Sequence, residues 1–561
     1  MKKPAQLQFL LFIFLLPFTS IAQQWGDYTL YSTTGSGNAY LVDTNGTTYH
    51  TWTFGTTSHT GYSTYMMPGG TLVRSVAHSG NSFNGGGMTG EVQKVDWNGN
   101  IIWDYVYSNT QYCMHHDICP MPNGNVMLIS YELKTAAEVT AAGSSSSILM
   151  WPDKIVEVQP TGATTGTIVW EWHVWDHLVQ NVDSTKANYH ASILDHPELL
   201  NINYQTQKDW MHMNGIDYNP LLDQVVVSSH NMDEMYVIDH STTSAEAAGH
   251  SGGNSGKGGD FLYRWGNPAS YTATGTTDFN VIHDAHWVPL DCPRAGYLVG
   301  YNNNGISNIQ SCVDMINPPY DGYNYLHTAG TAYAPSAYNF RHACNGHNGN
   351  MGNSQQLPNG NMLVCVAQSG YIYEIDSNQN IIWSKSVTGT SPHAYRYTAC
   401  YTAGTQPATP LITNGSDTLF SSTQANSYTW YFNGTVIAGA TDQFYIPSQN
   451  GNYQVQAIDA GGCTSEISFP YSFVSLSIYN VPSERSLKLF PNPSTGLVKI
   501  EGAFSYAVNF DVVVTDLIGK VILKAHNQKS VDLSAFENGL YNFTVLSEDG
   551  RLLSQKMTLV K

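Results

Sequence analysis

The chain has 561 residues, with 23 Lys+Arg against 42 Asp+Glu, a net charge of −19 with histidine neutral, and only 12% charged residues. An acidic balance without basic runs excludes a nucleic-acid binder, which needs clustered Lys and Arg for phosphates, while the length allows two to four domains. With 50 Gly, 36 Tyr and 13 Trp the composition suits short strands and tight turns and so an all-β protein rather than a helical enzyme.

Lys2 and Lys3 precede an apolar run, Phe9 to Leu16, and then Ser20-Ile21-Ala22. A basic start, a short apolar stretch and small residues at the cleavage point describe a secretory signal peptide over residues 1–22. That run is too short to cross a bilayer and no later stretch reaches the roughly 20 apolar residues needed, so no membrane span is expected. Export places the eight cysteines (Cys113, Cys119, Cys292, Cys312, Cys344, Cys365, Cys400 and Cys463) where disulfides form. Cys113 and Cys119 bracket a His-His-Asp run and are candidates to staple it. Seven cysteines precede residue 401, so pairing within segments leaves one over on each side.

Residues 23–402 hold all but one of the 20 histidines and carry internal repeats. One pattern is an apolar strand, an Asp-x-Asn-Gly-like turn and a Trp-bearing strand: Tyr40-Leu-Val-Asp-Thr-Asn-Gly46 with Trp52, Val95-Asp-Trp-Asn-Gly-Asn-Ile-Ile-Trp103, and Tyr373-Glu-Ile-Asp-Ser-Asn-Gln-Asn-Ile-Ile-Trp383. Pro-Gly-Gly or Pro-Asn-Gly-Asn at residues 68–73, 122–127 and 358–363 precedes these copies. Asn-Gly suits the positive φ of tight hairpins. Two hairpins make one four-stranded blade, and the spacing predicts a six-bladed β-propeller, with five or seven blades left open, whose incomplete first unit is closed by the far end of the segment.

Four histidine-bearing segments recur at comparable blade positions: Cys113-Met-His-His-Asp117, Asp209-Trp-Met-His-Met-Asn214, Ser228-Ser-His-Asn231 and His283-Asp-Ala-His-Trp287. A propeller gathers such loops at one mouth of its channel. In order and spacing, across about residues 35–390, these segments resemble the arylsulfate sulfotransferase family, six-bladed propellers that act outside the cytoplasm without a nucleotide sulfate donor. The resemblance implies an enzyme that moves a sulfuryl group from an aryl sulfate donor to a phenolic acceptor through a sulfo-histidine, with no cofactor and no metal. It implies that His283 accepts the group, that His115 or His116 and His212 bind its oxygens, and that Asn214 is an added donor. The family's arginine falls on His230.

Residue chemistry agrees with those roles. Neutral imidazole is a competent nucleophile near pH 7, and a covalent intermediate divides one difficult displacement into two. By analogy with phosphoryl transfer, positioned donors stabilise charge on the equatorial oxygens, and a second histidine can protonate the departing phenolic oxygen. An arginine stays charged, whereas His230, with a reference pKa near ~6.5, need not. Either the site runs with less positive charge or Arg264 or Arg341 supplies it, so a slower enzyme, a different anionic group, or activity favoured below neutral pH is expected. Two alternatives remain: a zinc or copper site at His115, His116 and Asp117, and a non-catalytic surface propeller that binds glycans or proteins. His286 reads as strand packing.

Residues 403–475 contain alternating strands around Trp430 and Tyr453 and read as an immunoglobulin-like β-sandwich. Residues 476–561 form a last small β-sandwich. Its Phe490-Pro-Asn-Pro-Ser-Thr-Gly496, Asp516-Leu-Ile-Gly-Lys520, Leu540-Tyr-Asn-Phe543 and terminal Lys556–Lys561 resemble the C-terminal sorting domain of type IX secretion. That likeness implies the type IX secretion machinery as a partner, and a secreted or cell-surface location after removal of the domain.

Overall fold

The computed structural model describes residues 24–55, 58–415, 417–474, 487–501, 509–517, 519–547 and 552–561; the signal peptide expected over 1–22 lies outside them. They fall into two compact units, Met1–Phe473 and Val474–Lys561.

Among the described residues, six four-stranded antiparallel sheets follow one another between Tyr28 and Tyr397. Tyr28–Ser32, Asn38–Asp43 and Thr48–Thr53 form three strands of the first sheet, and Ala394–Tyr397, from the far end of the segment, pairs with Tyr28–Ser32 as its inner strand. The inner strands of the other five are Thr60–Met67, Tyr112–Pro120, Met213–Asn219, Ile282–Trp287 and Asn353–Gln356. Each touches the next in that order; Asn353–Gln356 touches Ala394–Tyr397, and Tyr28–Ser32 touches Thr60–Met67, which closes the ring. This is a β-propeller. Middle strands such as Val126–Glu132, Gln224–Ser229 and Glu234–Asp239 are buried throughout, whereas outer strands such as Ile101–Val106 are half exposed.

The repeated turn has a physical cause. Asp43 Oδ1 accepts from the backbone N–H groups of Asn45 (2.9 Å) and Thr47 (2.8 Å); Asp96 does the same for Asn98 and Asn100, and Asp376 for Asn378 and Asn380. The fourth residue of each turn needs a left-handed backbone: Gly46 has φ +78°, Gly99 +86° and Gln379 +65°. Glutamine therefore holds a position that glycine holds elsewhere. The tryptophans that follow link blades, with Trp52 Nε1 donating to the Asp96 carbonyl (3.1 Å) and Trp103 Nε1 to the Thr165 carbonyl (3.0 Å). Nearer the axis, buried carboxylates tie inner strands together: Asp117 accepts from the Ile216 N–H (3.2 Å), Asp217 from Trp287 (2.9 Å) and Asp284 from Ser354 (2.9 Å).

Beyond the propeller, a three-stranded and a four-stranded sheet between Ile412 and Phe473 pack around Leu419, Tyr428, Trp430, Tyr453 and Val455. A disulfide joins Cys463 of this sandwich to Cys400 of the propeller. Cys113 and Cys119 do not staple the histidine run. Both are free, buried thiols on the single strand Tyr112–Pro120, which spaces them about 20 Å apart at ~3.3 Å per residue, beyond the reach of a bond. Cys400 and Cys463 pair across the two segments, and the other six cysteines are free, buried thiols rather than paired within the first segment.

The second unit holds a three-stranded and a four-stranded sheet around Leu489, Val498, Val512, Phe543 and Met557. Its Pro-Asn-Pro motif has a visible function. Asn492 Oδ1 accepts from the Thr558 N–H and its Nδ2 donates to the Lys556 carbonyl, both at 2.9 Å, which fastens the first turn to the last strand.

Candidate functional site

Four inner strands lose register beside the histidines, between Thr60 and Thr64, Met114 and Ile118, Met213 and Gly215, and His283 and His286. A bulge inserts unpaired residues and re-aims side chains. His116 (φ +52°), His212 (φ +57°) and Asp284 (φ +57°) sit there in the left-handed region, a strained conformation that the flanking ladders and inter-strand carboxylates hold in place.

The bulges turn four imidazoles into one closed circuit. Ring centroids are separated by 4.6 Å for His116–His212, 5.0 Å for His212–His230, 5.8 Å for His230–His283 and 6.5 Å for His283–His116. Each ring is held at Nδ1, and the hydrogen-bond network assigns its tautomer. Asn303 spends its Nδ2 on the Asn348 (3.2 Å) and Met351 (2.8 Å) carbonyls, so its Oδ1 accepts from His283 Nδ1–H at 2.7 Å. Asn231 repeats the device: Nδ2 donates to the Asp209 and Trp210 carbonyls, and Oδ1 accepts from His230 Nδ1–H at 2.8 Å. His212 Nδ1–H donates to Asp209 Oδ2 at 2.8 Å. Among the described residues, the Nε2 atoms of His116, His212, His230 and His283 have no hydrogen-bond partner. In the neutral rings each carries a lone pair.

The adjacent pair His115 and His116 divides. His115 is fully buried, stacks on Tyr131 with ring centroids 3.6 Å apart, and donates from Nε2 to Asp153 Oδ1 at 2.7 Å. Its Nδ1 therefore accepts from His116 Nδ1–H at 2.9 Å. His115 lies behind the site, while His116 faces a small cavity lined also by Tyr62, Asn214, His283, Met351 and His393. Asn214 is oriented by Ser228 Oγ, which donates to its Oδ1, and by its own Nδ2–H to the Ile282 carbonyl (2.8 Å), leaving one N–H unspent.

Electrostatics follow from burial. Desolvation pushes the His116 imidazole well below its ordinary pKa, aided by His212 and His115; His283 is pushed well below by burial and then His230, and His230 is lowered by burial and then His212. Burial pushes Asp209 up, but the hydrogen bond and charge of His212 outweigh it and hold the carboxyl below its usual value. The site therefore stands with little positive charge. Neither candidate arginine supplies any: Arg264 is buried in an ion pair with Glu234 and bonds to the Leu199 carbonyl, and Arg341 pairs with Asp314 (Nη2–Oδ2 2.7 Å). His286 lies against Asp284, its Nδ1 2.9 Å from that carbonyl; burial lowers its pKa, but Asp284 and then Asp217 raise it to about 9.

Several members of the site had no sequence signal of their own. Gly86 and Gly87 run directly over the rings: a Cβ at Gly86 would lie 2.1 Å from His212 Cε1, and one at Gly87 2.0–2.2 Å from three His116 ring atoms. Asp209 accepts from the Gly86 N–H (3.2 Å) and the Tyr131 hydroxyl (3.2 Å), and His116 N–H donates to the Gly87 carbonyl (2.7 Å), so the glycine strap and the rings form one network. The run of three glycines at 85–87 was the available clue. Asn303 and His393 offered none.

Among the described residues one group of side chains brings ligand atoms close enough for a metal ion, and it is His177, His250 and Asp260 rather than the His115–Asp117 run. Both ring nitrogens of His177 are already engaged, Nδ1 with Asp260 Oδ1 and Nε2 with the Ala247 carbonyl, each at 2.8 Å. That cluster pins the loop between Ala247 and Asp260.

A family model described as Arylsulfotransferase (ASST) matches residues 28–310, just over half of the chain, and one described as a secretion system C-terminal sorting domain matches residues 488–560. No curated protein matches the chain. Similar solved structures include a protein of unknown function from Bacteroides caccae, 11% identical over 66% of this chain and 98% of that one, with a TM-score of 0.38. The periplasmic gluconolactonase PpgL of Pseudomonas aeruginosa is 10% identical over 80% and 97%, with a TM-score of 0.34. AztD from Citrobacter koseri is 9% identical over the same shares, with a TM-score of 0.30.

Proposed function

Because the chain belongs to the arylsulfotransferase family, we propose that it transfers a sulfuryl group from an aryl sulfate to a phenolic acceptor by way of a sulfo-histidine at His283. Family membership supports the sulfotransferase-like activity, and the type IX sorting domain indicates export to the cell surface or the medium. The observation that carries the finer reading is the Asn303 anchor. With Nδ1–H committed to Asn303, His283 presents Nε2 as a nucleophile, and its depressed pKa keeps that lone pair available near neutral pH.

In the first half-reaction a bond forms from His283 Nε2 to sulfur as the bond from sulfur to the aryl oxygen breaks. In the second the acceptor oxygen attacks sulfur and His283 leaves. Negative charge on the sulfuryl oxygens is met by Nε2–H of His116 and of His212 and by the unspent N–H of Asn214. The two histidines donate from Nε2 only when protonated, so binding of the anion brings protons into the site. Asp209 supports the cationic His212, and Asp153 supports the His115–His116 pair from behind. His230 stands where the family has an arginine and closes the circuit without a permanent charge.

The test is a rapid-mixing experiment with 4-nitrophenyl sulfate in the absence of acceptor. A burst of one nitrophenol per protein, with one sulfuryl group added to the peptide that holds His283, is expected, and both signals vanish in His283→Ala. A wild-type protein as inert as that variant overturns sulfuryl transfer and leaves a binding propeller.

A further inference from the structure

His393, immediately ahead of the strand Ala394–Tyr397 that closes the propeller, lines the same cavity, and no motif pointed to it. It heads a chain of half-buried groups that ends on the buried Asp117. Tyr65 donates its hydroxyl to Asp117 Oδ1 at 2.8 Å, Tyr395 donates to the Tyr65 oxygen at 3.3 Å, and His393 Nδ1 lies 3.4 Å from the Tyr395 oxygen. Direction propagates along it. Asp117, which also accepts from the Ile118 and Ile216 N–H groups, accepts the hydrogen bond of the Tyr65 hydroxyl; Tyr65 then accepts from Tyr395, so Tyr395 accepts from His393 Nδ1–H. The Nε2 of His393 is left as the proton-exchanging atom, on a wall of the cavity that also exposes His283. Burial holds both phenols well above their ordinary pKa, so they stay protonated and pass on orientation rather than charge.

Sulfuryl transfer needs such a group. A phenolate leaves or attacks through one oxygen, and the four circuit imidazoles have other tasks: one forms the bond to sulfur and the rest face the sulfuryl oxygens or flank it. We propose that His393 is the general acid and base of the reaction, exchanging the phenolic proton while Asp117, through Tyr65 and Tyr395, orients its ring and supports its charge. In the first half-reaction Nε2–H of the His393 imidazolium gives its proton to the departing aryl oxygen as the His283 Nε2–sulfur bond forms. In the second, the neutral ring takes the proton from the acceptor hydroxyl as that oxygen bonds to sulfur and His283 departs, which regenerates the imidazolium. No other reactant is consumed.

This inference rests on sulfuryl transfer through His283, and the experiment separates the two. His393→Gln is compared with wild type on two donors, 4-nitrophenyl sulfate, whose leaving group departs without a proton, and unsubstituted phenyl sulfate, whose leaving group needs one. The nitrophenol burst is expected to stay within about threefold, while sulfation of the enzyme by phenyl sulfate falls by about 10²–10⁴. Transfer from the sulfo-enzyme to unsubstituted phenol falls as far. Equal losses on both donors, or none on either, overturn the role. Tyr395→Phe, which keeps the ring but removes the link to Asp117, is expected to slow the phenyl sulfate reaction selectively at unchanged melting temperature. A wild type without any burst removes sulfuryl transfer itself, whatever the variants do.

Discussion

Gly87 is the most exacting point in the site, and replacing it with alanine separates two physical effects. Its φ is +62°, and a Cβ there would stand 2.0 Å from His116 Cε1, 2.1 Å from Nδ1 and 2.2 Å from Nε2. Ordinary carbon contacts begin near ~3.5 Å, so the ring or the strap has to retreat by about 1.5 Å. A displacement of ~1 Å at a reacting centre costs on the order of 10²-fold, and at least that loss of kcat/KM for aryl sulfate is expected in Gly87→Ala. The left-handed backbone adds a stability cost of about 1–2 kcal/mol. Gly124 provides the control: its φ is +86°, and nothing lies within 4 Å of its would-be Cβ. Gly124→Ala bears the backbone cost alone and should melt a few degrees lower with full activity. Steady-state kinetics and thermal melts of both variants decide the matter. Gly87→Ala within threefold of wild type, or equal activity losses in the two variants, would refute the strap's part in setting the ring.

Four further outcomes follow from the structure. His116, His230 and His283 resist protonation in the folded protein, whereas unfolded histidines bind protons near ~6.5; as pH falls below that value the unfolded state takes up more protons, so the melting temperature should drop. Sulfate, which draws protons onto the rings, should stabilise the protein more at pH 5 than at pH 8, and an equal shift at both would contradict proton-linked binding. Installing a permanent charge through His230→Arg should raise sulfate affinity at pH 8 by at least tenfold and flatten its pH dependence in calorimetry. Loss of the Cys400–Cys463 bond in Cys463→Ser opens a sequence separation of 63 residues, worth about 4 kcal/mol on a chain-entropy argument. Its signature should be early proteolysis between 403 and 473 with the propeller intact.

Much of this architecture is written in short-range chemistry. An Asp followed by Asn-Gly makes the same turn wherever it occurs because the carboxylate captures the N–H groups two and four residues on, so repeats, hairpins and blade order are legible from sequence. So is the meeting of His212, His230 and His283 with one of His115 and His116, because the loops of a propeller's blades gather at one mouth. Residues separated by hundreds of positions obey no such local rule. The bulge in Tyr112–Pro120 decided that His116 rather than His115 faces the cavity, since the residues between Met114 and Ile118 leave the ladder and His116 takes a left-handed backbone, so the alternation of sides no longer fixes where they point. Closure of the ring by Ala394–Tyr397 brought His393 to Asp117 through two tyrosines, and it was packing that set Gly87 against an imidazole and Asn303 against another. The sequence by itself determined which kinds of side chain meet at the axis; the fold alone decided which nitrogen of each ring is free, because that depends on partners that only three-dimensional closure supplies.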